Sequence, residues 1–559
     1  MEQLRAAFRS LAEYWPAKRP RIPEAIASMT QRAISESADD AADGATDVGG
    51  SRDQRKSHFT DSKEANDFDK FFLNGSTLDG HLTAAATVLR VVTQHAPKDP
   101  YSGLSPEQLA AVFATIDAFP SAGTDAERIT EDLEILIRNS VSLSHPRTIG
   151  HLLAPPAIPA LLAEILISAL NQSLDVFETS PAATIIEQAL IDQICREFGL
   201  PESADGTFTP GGTHSNYAAL LLARDHWLDL NLDWPAKRLG LPPDAHRFRI
   251  VCSEAAHFSI EKAAAQLGLG TNAVVRVDVD DDHRIVTAAL RKTLNRLRRE
   301  GDIPIALVAT AGTTDFGAID DLMECAQIAA QEGIWLHVDA AYGGGLAFSE
   351  RFRSRLEGVD LADSVSIDFH KMLWQPASCG LLLLADSSRF GLTTHRADYL
   401  NPLENKATGI PDLVDKSLLT TRRFDALKVW LTLRTLGRQR IDEMIGRVLH
   451  LAQRGRVMID ANNRLELLHK PELGCLVFRY RTAAEQLSDD VNRQIHQRLM
   501  RDGRAMIATT RIRGRVCMKL TLLNPLLREE DLWSVIDEIN EMGARVEASL
   551  TVASDTDGI

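Results

Sequence analysis

Cysteine is scarce in this chain. There are six in 559 residues, Cys195, Cys252, Cys325, Cys379, Cys475 and Cys517, and no CxxC pair among them. That scatter excludes a disulfide framework and a zinc knuckle, so buried thiols in a reducing compartment are expected, and no metal site. Long apolar runs are missing as well. No stretch approaches the roughly 20 residues that span a bilayer, and the opening MEQLRAAFRSLAEYWPAKRP lacks the apolar centre of a secretory signal. A cytoplasmic location with no membrane partner is expected. Positive charge is in deficit: 61 Lys and Arg face 77 Asp and Glu, a formal net charge of -16. Such a balance repels a nucleic-acid backbone and mildly favours cationic small substrates. Apolar residues at 44% and charged residues at 25% are what a globular chain of two or three domains carries.

Large apolar side chains almost vanish from Ser35 to Glu64, which reads as a disordered linker. It closes an N-terminal extension, residues 1–65. Helical periodicity such as LDGHLTAAATVLRVVTQ then fills a segment expected over 66–150. From about Gly206 to Asp386, short β-branched runs alternate with helical ones. RFRIVCS, AVVRVDV, PIALVAT, GIWLHVDA, DSVSID and GLLLLAD are the expected strands; SNYAALLLARDHWLDL and DLMECAQIAAQEG are helices between them. The pattern predicts an α/β fold with an open, doubly wound, mostly parallel sheet covered on both faces, in a large domain over 151–425. A helix (FDALKVWLTLRTLG), strands CLVFRY and VCMKLTLL, and a helix EEDLWSVIDEINEMG predict a smaller α+β domain over 426–559.

In open sheets of this kind ligands bind beyond the carboxyl ends of the strands. There GIWLHVDA stops at Asp339 and runs into AAYGGG, a backbone open to a flat ligand. An aspartate at a strand end is most often a turn former. The next strand, DSVSID, however, delivers His370 and Lys371 to a similar position, in FHKMLW. A HisLys pair is commonly a solvated feature, but Phe369, Met372, Leu373 and Trp374 surround this one, which suits an amine that attacks an aldehyde. An aldehyde cofactor with a ring nitrogen and a phosphate needs three further groups. Asp339 can hold the nitrogen protonated. Gly211, Gly212, Thr213 and His214, ahead of a strong helical run, can offer backbone N–H groups to the phosphate. His257, just past RFRIVCS, can stack on the ring, although a lone histidine is more often structural.

The motifs GGTHSN, AAHFSIEKA, ATAGTTDFGAIDD, HVDAAYGGG, DFHKMLWQP and TTRRFDALKVW, in this order and spacing, resemble those of the pyridoxal-phosphate-dependent group II amino acid decarboxylases. The resemblance runs from roughly Asn66 to Arg545. Through HPRTIGHL, SLDVFETSPAAT, ADYLNP and SLLTTRRFDALK it is strongest toward the branch acting on L-2,4-diaminobutyrate. It implies a fold-type I, aspartate aminotransferase-like architecture, pyridoxal 5'-phosphate as cofactor, a homodimer joined partly through 66–150, and decarboxylation of an L-amino acid, most simply a diamino acid. Carried over, Lys371 bonds to the cofactor, Asp339 partners its ring nitrogen, and His257 stacks on the ring. Gly212, Thr213, His214 and the neighbourhood of His370 hold the phosphate, and Thr314 lies near the ring.

Two departures stand out. Where relatives carry an arginine for the substrate carboxylate, this chain has Lys519, a point charge without the planar fork. The segment ATGIPDLVDKSLL also lacks the tyrosine that aromatic-acid relatives place there to protonate Cα. Tyr399, His214 and Lys371 are the remaining proton donors. Tyr399 is either a general acid that closes over the substrate or an anchor packed on Leu400 and Pro402. The rival readings are a decarboxylating oxidative deaminase, a decarboxylase of lysine, ornithine, aspartate, glutamate or aromatic amino acids, and a non-catalytic scaffold.

Overall fold

The computed structural model describes residues 72–73 and 78–556, so the whole 1–65 extension, with its Ser35–Glu64 linker, lies outside the described residues. By its internal contacts the chain divides into Met1–Asn74 and Gly75–Ile559, and every described helix and strand belongs to the second unit.

Seven strands form the large sheet: β1 (Asp205–Thr209), β2 (Phe248–Ser253), β3 (Val274–Val277), β4 (Ile303–Thr310), β5 (Trp335–Ala340), β6 (Ser364–Asp368) and β7 (Gly380–Leu384). Their order is β1-β7-β6-β5-β4-β2-β3. Neighbours from β6 to β3 are parallel, while β7 runs antiparallel to both β6 and β1. The fold is therefore α/β with a mixed, mostly parallel sheet. Alternation explains why the strands read as unbroken apolar runs. Ile250, Val308, Trp335, Leu382 and Leu384 enter a core on one face with the helix Gly212–Leu232 and the helix Ser259–Gln266. Val251, Leu307, Leu336, Val338, Leu381 and Leu383 enter a core on the other face with the helices Pro181–Glu197, Thr287–Glu300 and Leu322–Glu332. Both faces are covered, so neither needs polar residues.

β1 was not among the expected strands. Its sequence, DGTFT, is short and rich in Gly and Thr, and it lies at the edge of the sheet. Four antiparallel strands form the second sheet in the order β10-β11-β9-β8: β8 (Leu465–Leu467), β9 (Cys475–Tyr480), β10 (Ala508–Ile512) and β11 (Arg515–Thr521). The helices Ser488–Arg501 and Glu529–Thr556 pack with it around a separate core. The helical run expected to end at Gly437 instead continues, as Ala426–Asp460, across a kink where Gly437 has φ +69 and leaves helical geometry. All six cysteines are buried free thiols, and no described helix is long and apolar enough to cross a membrane.

Candidate active site

Beyond the carboxyl ends of β4, β5 and β6 lies a cavity of about 890 Å³. Lys371, Asp339, His257, Gly212, Thr213, His214, Thr314 and His370 all line it, so eight of the ten expected site residues meet there. The backbone accounts for the convergence. β5 ends at Asp339–Ala340, β6 ends at Asp368 and turns into His370 and Lys371, and the helix Gly212–Leu232 begins under both.

Asp339 is 5% exposed, and its carboxylate is fixed from three directions. Asn216 Nδ2 donates to Oδ2 at 2.8 Å, the Ala341 N–H donates to Oδ1 at 3.1 Å, and Ser366 Oγ donates to Oδ1 at 3.2 Å. Asn216 is the hub of a wider network. Its Nδ2 also donates to Ser259 Oγ at 2.9 Å, and its Oδ1 lies 3.0 Å from His337 Nε2. Trp335 Nε1 donates to Ser364 Oγ, whose own proton then points to His337 Nδ1 at 2.9 Å. That assigns a neutral His337 protonated at Nε2. Burial pushes its pKa down to about 4, in agreement.

The same network reaches His257. Ser259 accepts from Asn216 and lies 2.8 Å from His257 Nδ1, which also accepts the Ser259 N–H at 3.3 Å. The free ring nitrogen, Nε2, therefore carries the proton. Burial holds the His257 pKa below the ordinary histidine value, against the opposing pull of Asp339. The result is a neutral, flat imidazole. Burial likewise lowers the pKa of His214.

Lys371 Nζ lies 3.0 Å from Asp368 Oδ2, and His370 Nε2 lies 3.6 Å from the same oxygen. At the start of the helix, Gly211 has φ +146, and a Cβ on Gly212 would stand 2.9 Å from Ala341 Cβ. Glycine here keeps the first N–H groups of the helix open to an anion. A lysine amine, a hydrogen-bonded carboxylate, a neutral imidazole and a bare helix start suit the aldehyde, ring nitrogen, ring face and phosphate of pyridoxal phosphate.

Two expected residues lie outside the cavity lining. Tyr399 is 83% exposed, in a turn ahead of the helix Leu403–Ala407. Lys519, on β11, is buried, donates to Asp315 Oδ1 at 2.8 Å and reaches the Thr314 carbonyl oxygen at 3.4 Å. It thus approaches the cavity only through Thr314.

Sequence reasoning passed over Asn216, His337, Ser259 and Asp368. A signal was available for most of them. His337 shares a strand face with Asp339, and Ser364, Ser366 and Asp368 share one on β6, so polar residues recur at every second position of otherwise apolar strands. Asn216 follows Gly212 by one helical turn. Phe258, just ahead of the helix Ser259–Gln266, and Lys262 and Gln266 within it, spaced i, i+4 and i+8, also line the cavity.

The model of the pyridoxal-dependent decarboxylase conserved domain matches residues 106–481. An L-2,4-diaminobutyrate decarboxylase of Rhizobium meliloti (strain 1021) is 41% identical over 491 residues, spanning 87% of this chain and 94% of that protein. Its namesake from Acinetobacter baumannii is 35% identical over 80% of this chain and 90% of its own. Among solved structures, the glutamate decarboxylase domain of a diaminobutyrate-pyruvate transaminase and L-2,4-diaminobutyrate decarboxylase from Vibrio parahaemolyticus superposes with a TM-score of 0.79. It is 34% identical and covers 87% of this chain and 100% of its own.

Proposed function

The chain belongs to the pyridoxal-dependent decarboxylase family, and on that premise we propose that it removes the α-carboxylate of L-2,4-diaminobutyrate to give the diamine and carbon dioxide. It is an amino acid decarboxylase that works with pyridoxal 5'-phosphate. The convergence of Lys371, Asp339, His257 and Gly212 on one cavity supports the assignment of roles, and the two diaminobutyrate decarboxylases at 41% and 35% identity support the substrate.

When bound, pyridoxal phosphate supplies an electron sink for the bond that breaks. Lys371 is the residue that bonds to its aldehyde carbon. Asp339, held by Asn216, Ser366 and the Ala341 N–H, keeps a proton on the ring nitrogen. His257, neutral and oriented through Ser259, covers a ring face. The backbone from Gly211 to Thr213 and the side chains of His214 and His370 receive the phosphate, and Thr314 borders the ring. Lys371 would also supply the proton to Cα: it and His214 line the cavity, whereas Tyr399 does not. Lys519 acts on the substrate carboxylate at most through the Thr314–Asp315 turn it braces.

The working unit is a homodimer. The helix Ile158–Leu170 leaves Ile158, Leu161, Leu166 and Leu170 exposed, an apolar face that a second copy would cover. Six unpaired thiols support a cytoplasmic location.

A second reading, oxidative decarboxylation to an aldehyde, draws on the absence of a phenol in ATGIPDLVDKSLL and on the exposure of Tyr399. One experiment separates the two. Purified protein is given L-2,4-diaminobutyrate, lysine, ornithine, aspartate, glutamate and aromatic amino acids, and carbon dioxide, amine, aldehyde and hydrogen peroxide are measured. Diamine equal to carbon dioxide, with L-2,4-diaminobutyrate preferred, is expected. Aldehyde with peroxide establishes the oxidative reading, and preference for an acidic or aromatic amino acid rules out the substrate.

A further inference from the structure

The substrate's α-carboxylate has no counter-charge among the roles assigned above. Lys519 does not line the cavity, and its ammonium is held by Asp315 Oδ1 at 2.8 Å. Among the described residues no arginine lines the cavity either. The lining groups able to carry positive charge are Lys371, His214, His257, His370 and Lys262. Lys371 is taken by the cofactor, and His370 Nε2 already faces a carboxylate, Asp368 Oδ2, at 3.6 Å. Burial holds the pKa of His214 and of His257 below the ordinary histidine value, so both are neutral. Lys262 remains.

Lys262 is exposed where it borders the cavity, and its ammonium has neither a hydrogen-bond nor an ion-pair partner among the described residues. The acid beside it, Glu261, is paired with Arg276 at 3.0 Å. An uncompensated ammonium on a cavity wall attracts an anion. Its place in the chain suits the anion that decarboxylation removes. A bond that breaks into a conjugated electron sink stands perpendicular to the plane of that sink, so the carboxylate projects from a ring face. His257 covers a ring face, with its Nδ1 2.8 Å from Ser259 Oγ at the start of the helix Ser259–Gln266. A carboxylate on that face is directed toward the helix that carries Lys262.

We propose that Lys262 receives the α-carboxylate of the substrate and is the residue by which the protein tells the amino acid from its amine. The inference rests on the reading of the chain as an L-2,4-diaminobutyrate decarboxylase. The carboxylate departs as carbon dioxide, so the contact belongs to bound substrate and is absent from product. The product diamine carries two positive charges, which Lys262 repels. One side chain thus favours entry of substrate and departure of product.

The test uses the cofactor-loaded full chain as wild type, Lys262→Met and Lys262→Arg. KM and kcat are measured for L-2,4-diaminobutyrate, and the dissociation constant of propane-1,3-diamine is read from the change in cofactor absorbance. Lys262→Met should raise KM about tenfold, the loss of one charge-assisted hydrogen bond, with kcat not below wild type. The diamine should bind that variant as tightly as it binds the wild type, or more tightly. Lys262→Arg should bring KM back toward the wild-type value, because it keeps the charge. A KM unchanged in Lys262→Met, or as high in Lys262→Arg, overturns the proposal. So does a diamine dissociation constant that rises in step with KM, since the lysine then shapes the wall and does not read the carboxylate. Failure of the underlying reading looks different. Wild type then releases carbon dioxide from another amino acid and not from L-2,4-diaminobutyrate, and the same comparison with that acid and its amine decides the role of Lys262. Release from no amino acid overturns both.

Discussion

On one wall of the cavity Asp339 is 5% exposed and accepts three hydrogen bonds, whereas on another Phe258 is 62% exposed, with Lys262 and Gln266 open beside it. Both walls border the same space. The first is tied into a continuous network from Trp335 through Ser364, His337, Asn216 and Ser259 to His257. The second is one face of a two-turn helix. A reactive ring needs fixed dipoles and a water-poor setting, and those are present within one chain.

The largest effect is expected at Lys371, which lines the same cavity as both walls. Lys371→Ala should lower turnover at least about a thousandfold, because the attacking amine and the proposed proton donor are lost together. Its unfolding midpoint should stay close to wild type. Carbon dioxide release near the wild-type rate would remove Lys371 from the chemistry.

Asn216→Ala cuts the buried wall at its hub. It strips a donor from Asp339 Oδ2 and an acceptor from His337 Nε2, at a cost of about 1–3 kcal/mol in unfolding free energy. A loss of turnover of roughly ten- to a hundredfold is expected alongside, as Asp339 and His257 lose their orientation. If stability falls while turnover of the folded fraction holds, the network serves the fold and not the site.

Acid should act on buried histidines, one of them, His337, in the buried wall. Burial pushes His337 and His469 down to about 4 from the ordinary 6.5. The unfolded chain therefore binds these protons first, and stability fully present above pH 6.5 is lost as pH falls toward 4. Asp320, pushed up to about 6 by burial, works the other way, since the folded state binds its proton first as pH falls from 6. Two histidines against one aspartate leave a net loss of a few kcal/mol, on the order of one to two pKa shifts of this size. Urea unfolding at pH 7 and near pH 5 should show the drop in wild type and a shallower one in His337→Gln. Equal slopes would mean His337 is not the group that titrates.

The smallest effect is expected far from the network. Tyr399→Phe removes only a hydroxyl from a residue that does not line the cavity, so amine formed per carbon dioxide should stay at the wild-type value. A fall in that ratio, with aldehyde in place of amine, would restore Tyr399 as the proton donor.

Legibility in the sequence divides along similar lines. β2 and β4 to β7 were legible because strands buried on both faces must be apolar throughout, and β3, though at an edge, because VVRV is β-branched at three of its four positions. β1, β8 and β10 were not, and each lies at a sheet edge: DGTFT, LEL and ATTRI carry polar residues that an edge allows. Gly437 was read as a helix end, yet only a kink was built there, because residues on both sides of it remain buried in the long helix. Strand-end residues with reactive groups, Asp339 and Lys371, were legible one by one. Asn216 was not, since its importance comes from contact with Asp339, 123 residues away. Lys519 was chosen by resemblance and Tyr399 by its place after the strand GLLLLAD, and nothing in their local sequence reports whether a side chain faces the cavity.

The central claim, that this cavity holds the cofactor on Lys371, is tested most directly by reducing the cofactor-loaded protein with borohydride, digesting it and weighing the peptides. The account predicts one pyridoxyl-phosphate adduct per chain, on the peptide that carries Lys371. An adduct on any other lysine, or none on a protein that still releases carbon dioxide from amino acids, would contradict it.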